Sequence, residues 1–298
     1  MAIIHTIVIL EVGEYNDHST KNWGWRNKVK RLGMVRDILV LILILYLAEV
    51  LGMMAGALSY EILPDGSFSS YIYMVLSTGV YILSAYLAVR FYGARVLHMK
   101  EREYGLTVSW KNAAAGVGSA LALTGISVLL TVFIFKGSWQ IAPKEEWSLR
   151  VFRALMDFGI GAGIVEEMIF RGVLLKNAEE RLAQLRAVGV TSAIFAFLHV
   201  TAVTGAADFI WRFLYSFILA VLLCRFKYQT GDLSASMAFH GVWNFIFMGI
   251  LSLGTEESLT ALVSYAAESQ AYLVIPLMLC VGLWALLFWR RMLSLKRE

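Results

Sequence analysis

Apolar residues fall in long runs separated by short polar segments, and the runs are of membrane-crossing length. They predict helical spans at 38–58, 70–90, 113–135, 153–175, 187–205, 209–225, 233–253 and 271–289. About 20 apolar residues suffice for a helix to cross a hydrocarbon core of roughly 30 Å. Eight such runs in one chain point to an all-α fold, a polytopic helix bundle of about eight transmembrane helices enclosing a buried polar cavity. Ahead of the spans, the first ten residues are apolar but too few to cross. They lack a basic start and a small-residue cleavage site, so they do not read as a signal peptide. Residues 13–37 are polar and basic and carry Trp23 and Trp25. That mixture suits an interfacial segment with aromatic rings at headgroup depth. The expected organisation is a cytoplasmic or interfacial segment 1–37, one transmembrane bundle 38–290, and a cytoplasmic tail 291–298.

Composition agrees with this pattern. The 298 residues are 59% hydrophobic and only 16% charged. A soluble domain carries about 25% charged residues to cover its hydrated surface, so a soluble globular enzyme is excluded. Disorder is excluded as well, because disordered segments are poor in apolar residues. The net charge of +4 would raise nucleic acid as a partner in a soluble protein. Here the basic residues stand beside apolar runs, so the expected partner is the lipid bilayer and no nucleic acid. Cys224 and Cys280 lie far apart within apolar runs and form no disulfide or CxxC pattern.

The basic residues also orient the bundle. With the N-terminus inside, the segments on the cytoplasmic side hold 20 Lys and Arg, against 3 (Lys136, Lys144 and Arg150) on the other. This is a strong positive-inside asymmetry. It requires an even number of spans, which eight satisfies, and it places both termini in the cytoplasm.

The charges left over after topology are concentrated in half of the chain. The first three spans and the last read as bland. Spans four to seven hold Glu166, Glu167, Arg171, His199, Arg212 and His240. In Gly161-Ala-Gly-Ile-Val-Glu166-Glu167-Met-Ile-Phe170-Arg171-Gly172, two adjacent carboxylates sit among apolar and small residues. A charge at mid-bilayer costs about 2.5–3.5 kcal/mol on the insertion scale, so these groups should be paired or functional. Glu167 and Arg171 are i and i+4 and can pair on one helix face. Glu166 points about 100° away and is left for chemistry. Gly159, Gly161 and Gly163 let another helix approach closely. Arg212 could meet a substrate carboxylate, but Asp208 at i−4 is its nearer expected partner.

Two further elements follow in successive spans. Phe195-Ala-Phe-Leu-His199 closes one apolar run, and His240-Gly-Val-Trp-Asn244 places a His and a carboxamide on one helix face. Taken singly, each His could be a packed side chain donating to a backbone carbonyl. Together the groups match the needs of peptide hydrolysis. A base must deprotonate water, and donors must face the oxygen of the tetrahedral intermediate. A carboxylate and one His supply the first; a second His and an Asn supply the second.

These three motifs, with the approach Thr230-Gly231-Asp232-Leu-x-x-Ser236-x-x-x-His240, resemble the CPBP family. It comprises type II CAAX prenyl endopeptidases and bacteriocin-processing or Abi proteins. Asp232 stands where that family more often has a small polar residue. The resemblance covers about residues 155–250 and implies a bundle of about eight helices around a polar cavity. Carried over by position, it implies that Glu166 activates water with the aid of His199. His240 and Asn244 would stabilise the oxyanion, and Glu167 and Arg171 would play a supporting part. The family is described both as metal-dependent and as glutamate-dependent. The cofactor is therefore none or one zinc ion, held if present by Glu166, His199 and His240. The substrate implied is a peptide or protein, possibly lipidated, with either a prenylated CAAX-type tail or a leader peptide.

Other intramembrane proteases match less well: the chain has no His-Glu-x-x-His, no Gly-x-Ser-Gly and no Gly-x-Gly-Asp. Two alternatives to a protease stand. One is a catalytically silent scaffold or immunity-type protein of the same fold. The other is a proton- or solute-coupled transporter, which the lack of an internal repeat disfavours.

Overall fold

The computed structural model describes residues 21–63, 66–134, 137–141, 144, 147–200, 205–252 and 263–267. The expected span 271–289, the tail 291–298 and most of the segment 1–37 lie outside the described residues. Helix α1 (Lys21–Ile62) and helix α2 (Ser67–Arg95) pack side by side, followed by a 3-10 turn at Glu101–Tyr104 and helix α3 (Trp110–Ile134). Helix α4 runs over 147–179. Its α-helical parts Trp147–Arg153, Gly163–Glu167 and Leu175–Glu179 alternate with π-helical Ala154–Ala162 and Met168–Leu174. Helices α5 (Gln184–Leu198), α6 (Ala206–Thr230) and α7 (Ser234–Asn244) follow, and α7 continues as π-helical Phe245–Ile250.

The helical bundle expected from the apolar runs is present. A small sheet is added to it. Strand β1 (Gly137–Ile141) follows α3, β2 (Leu251–Ser252) follows α7, and β3 (Val263–Ala267) pairs with both. The β1–β3 pairing is antiparallel and the β2–β3 pairing parallel. Four described helical stretches are long and apolar enough to cross a membrane: Gly33–Ile62, Ser67–Arg95, Trp110–Leu129 and Ala206–Thr230. The predicted spans 153–175, 187–205 and 233–253 fall on α4, α5 and α7, which are shorter, polar or interrupted. By length and composition, four helices among the described residues qualify as membrane-crossing, so the expected count of eight is not reached there. The outward faces of the long helices are apolar, with Leu39, Leu43, Leu47, Leu51, Met54 and Leu58 exposed along α1. Such a face is stable against lipid and not against water.

Small residues set the close contacts that hold the polar helices. A Cβ on Gly241 of α7 would stand 2.5 Å from the Gly159 carbonyl oxygen of α4, and one on Gly163 would stand 2.8 Å from the Gly241 Cα. On the other side of α7, a Cβ on Gly116 of α3 would stand 2.3 Å from the Ala235 carbonyl oxygen. Helix α7 is thus clamped between α3 and α4 by backbone-to-backbone approach, as small residues allow inside a membrane. Its start is fixed too. Gly231 closes α6 in the left-handed conformation (φ 77°). Asp232 then accepts from the Ser234 amide (2.8 Å) and from Asn112 Nδ2 of α3 (2.6 Å). The less typical residue of the third motif therefore has a local role, tying α7 to α3 two turns before His240.

Candidate active site

The two adjacent acids of α4 face different surroundings. Glu167 is fully buried, and its Oε1 accepts from Arg171 Nη1 at 2.7 Å and from His240 Nδ1 at 2.8 Å. Arg171 is also buried; it donates from Nη2 to the Ala220 carbonyl of α6 (3.2 Å), and its guanidinium lies 4.6 Å from the Phe195 ring centroid. The expected i, i+4 pair therefore forms, and it reaches three other helices. A buried pair of this kind tolerates no loss of one partner, because the other charge would remain desolvated.

Glu166 has no such anchor. Its Oε2 is buried without a hydrogen-bond partner. The nearest groups are His199 Nε2 at 3.5 Å and His240 Nε2 at 3.9 Å, both beyond ordinary hydrogen-bond reach. Both rings are fixed through their other nitrogens. His199 Nδ1 lies 2.8 Å from the Phe195 carbonyl, which can only accept, so Nδ1 carries the proton. His240 Nδ1 donates to Glu167. Each neutral ring consequently turns an unprotonated Nε2 toward the free oxygen of Glu166. His240 can donate from Nε2 only when its ring holds both protons.

Phe195 joins the motifs physically. Its ring stacks on His199 with centroids 4.1 Å apart, meets His240 edge-on at 5.9 Å, and supports Arg171 from its face. Its backbone carbonyl sets the His199 tautomer. This one residue therefore touches groups of all three motifs. Asn244, one turn beyond His240, is half-buried and hydrogen-bonds to none of these groups among the described residues. Arg212 lies apart from the cluster and pairs with Asp208 at 2.7 Å, as its spacing predicts.

Access is one-sided. The His199 side chain is 35% exposed and Glu166 15%, whereas His240 is 1% and Glu167 and Arg171 are 0%. His199 is thus the most exposed side chain of the cluster. Among the described residues no three His, Cys, Asp or Glu side chains are disposed to hold a metal ion.

One polar centre escapes the motif reading. Asp37 of α1 is fully buried and accepts from Tyr92 Oη of α2 (2.7 Å), Asn177 Nδ2 of α4 (3.1 Å) and Arg36 (2.9 Å), with Arg181 Nη2 at 3.0 Å. Arg181 also donates to Asn177. In sequence Asp37 ends a basic segment, where a single acid reads as a surface residue. Its charge is instead the junction of α1, α2 and the end of α4.

Residues 147–246, about a third of the chain, match the family model described as type II CAAX prenyl endopeptidase, Rce1-like. This is the family that the three motifs resemble, and the matched region holds all of them. No curated protein and no solved structure matches the chain.

Proposed function

We propose that this membrane protein is an intramembrane endopeptidase in which Glu166 activates water against a peptide bond. The observation that carries the reading is the free, buried Oε2 of Glu166 faced by two imidazole Nε2 atoms whose Nδ1 positions are already engaged. A water molecule seated between Glu166 Oε2 and His199 Nε2 could donate to both acceptors. Glu166 then takes a proton as the water oxygen bonds to the scissile carbonyl carbon. The carbonyl oxygen becomes an oxyanion, for which Asn244 and a doubly protonated His240 are the expected donors. Return of the proton from Glu166 to the amide nitrogen accompanies C–N cleavage and releases an amine and a carboxylic acid, which keeps the second proton of the water. Glu167 and Arg171 position His240 and do not touch substrate.

The family match supports a peptide substrate in or on the bilayer, and its description favours a CAAX-type prenylated tail over a leader peptide. The basic segments favour an orientation with both termini in the cytoplasm. The test is cleavage of a farnesylated peptide ending in a CAAX tetrapeptide by the purified protein in liposomes, with products identified by mass spectrometry. A new C-terminus is expected with the unmodified protein. Glu166→Ala should reduce the rate by at least about 100-fold, the low end of acid–base catalysis. Undiminished cleavage by that variant removes Glu166 from the base role.

A further inference from the structure

Three helices of membrane-crossing length have their ends on one side of the bundle. Helix α2 stops at Arg95, the 3-10 turn Glu101–Tyr104 leads on to α3 at Trp110, and α6 stops at Thr230. All three contain stretches long and apolar enough to cross a membrane, so these ends belong at the depth of lipid headgroups. Between the 3-10 turn, the end of α4 and the end of α6 is a cavity of about 210 Å³. At about 30 Å³ for each water molecule it has room for roughly seven of them, the scale of a small polar headgroup.

The lining carries both signs of charge. Lys176 and Glu179 come from α4, Lys227 and Tyr228 from α6, and Glu103 from the 3-10 turn, with the buried Arg171 in the same wall. Arg171 is already neutralised by Glu167. Two ammoniums and two carboxylates remain, and among the described residues neither lysine forms an ion pair with either acid. Glu179 Oε1 accepts instead from the Tyr228 hydroxyl (2.5 Å), and Glu103 Oε2 from the Lys100 amide (2.6 Å). The Lys227 ammonium donates to the Gly231 carbonyl (3.2 Å) and lies against Gly105, whose φ is 70° and where a Cβ would collide with Nζ. Each ammonium thus has donors left, and each carboxylate has acceptor capacity left.

We infer that this cavity binds the headgroup of a phospholipid bearing both a phosphate and a primary ammonium, as phosphatidylethanolamine does. Lys176 and Lys227 take the phosphate; Glu103 and Glu179 take the ammonium. Basic pockets between helix ends hold lipid phosphates in general, and the two acids add the second half of the recognition here. A purely anionic headgroup would turn its charge toward two carboxylates without answering them, and a choline headgroup has no N–H to donate. Soluble phosphoethanolamine offers the same groups, but the position of the cavity at three helix ends favours the lipid. The site is independent of the peptidase reaction.

The experiment measures binding to the purified full chain in detergent by native mass spectrometry, which compares folded molecules with and without lipid. The probes are dioctanoyl phosphatidylethanolamine, phosphatidylglycerol and phosphatidylcholine, and soluble phosphoethanolamine; lipid-free melting temperatures are measured alongside. Phosphatidylethanolamine should bind most tightly of the four. Lys176→Gln and Lys227→Gln should each weaken it about fivefold, the weight of one lysine near a membrane surface. Glu179→Gln should weaken it about tenfold, the weight of one charge-assisted hydrogen bond, and leave phosphatidylglycerol binding undiminished. Lys111→Gln and Arg186→Gln, at exposed positions outside the cavity, should change nothing. Losses in these two equal to those at Lys176 and Lys227 overturn the inference in favour of diffuse surface charge. Tighter binding of phosphatidylglycerol or phosphatidylcholine than of phosphatidylethanolamine overturns it, as does an unmoved affinity in the lysine variants. Soluble phosphoethanolamine binding as tightly as the lipid overturns the lipid assignment.

Discussion

Adjacent carboxylates 166 and 167 differ by one helix position and by about 100° in direction, and that rotation separates their roles. Glu167 points to Arg171 and His240; Glu166 points to the two free imidazole nitrogens. Their substitutions should part accordingly. Glu167→Gln leaves the buried Arg171 charge without its counterion, a loss of about 3–5 kcal/mol for a broken buried pair. Thermal unfolding followed by Trp fluorescence in detergent should show a clear drop in melting temperature. Glu166→Gln removes a buried charge whose Oε2 makes no hydrogen bond, so its melting temperature should be unchanged or higher. Equal destabilisation of the two variants would mean that Glu166 is also a structural ion. This division is legible in the sequence, because i, i+4 spacing alone pairs 167 with 171. The support given by Phe195 is not, since a phenylalanine in an apolar run carries no sign that its carbonyl orients a histidine.

Helices α4 and α7 bring the acids to His240 only because their backbones nearly touch. Gly159, Gly163 and Gly241 form that contact. Gly241→Ala places a methyl 2.5 Å from the Gly159 carbonyl oxygen and must push the helices apart. A stability loss of about 1–3 kcal/mol is expected from overpacking, together with loss of cleavage as the His240–Glu167 bond lengthens. Gly189 of α5 has open space where its Cβ would be. Gly189→Ala should keep activity and gain up to about 1 kcal/mol from helix propensity. Melting temperatures of the two alanine variants test the contrast; a neutral Gly241→Ala would show that the α4–α7 contact yields easily. The small residues around the acid pair announce close packing, but not which helix arrives. That depends on contacts some 80 residues away in the chain, as between Gly159 and Gly241. The π-helical stretches on either side of Gly163–Glu167 are equally hidden. They shift the side-chain phase without any proline, and such stretches recur at functional sites.

Among the described residues, buried polar groups gather at the site around Glu166 and at the Asp37 junction where α1, α2 and the end of α4 meet. Apolar length predicts the membrane class and the existence of the helices. It says less about α4, α5 and α7, which are held in place by protein contacts and need not be long or uniformly apolar. The basic segments predict one orientation. Single cysteines at Arg102 and at Lys144, labelled in intact cells with a membrane-impermeant maleimide, should react only at 144. Labelling at 102 alone would invert the bundle. The proposed chemistry stands on Glu166 acting as a base within an otherwise intact protein. The most direct test is the cleavage rate per folded molecule of Glu166→Gln in liposomes, with melting temperature confirming the fold. A fall of at least about 100-fold at undiminished stability is expected. A folded Glu166→Gln protein that cleaves the reporter at the unmodified rate would contradict it.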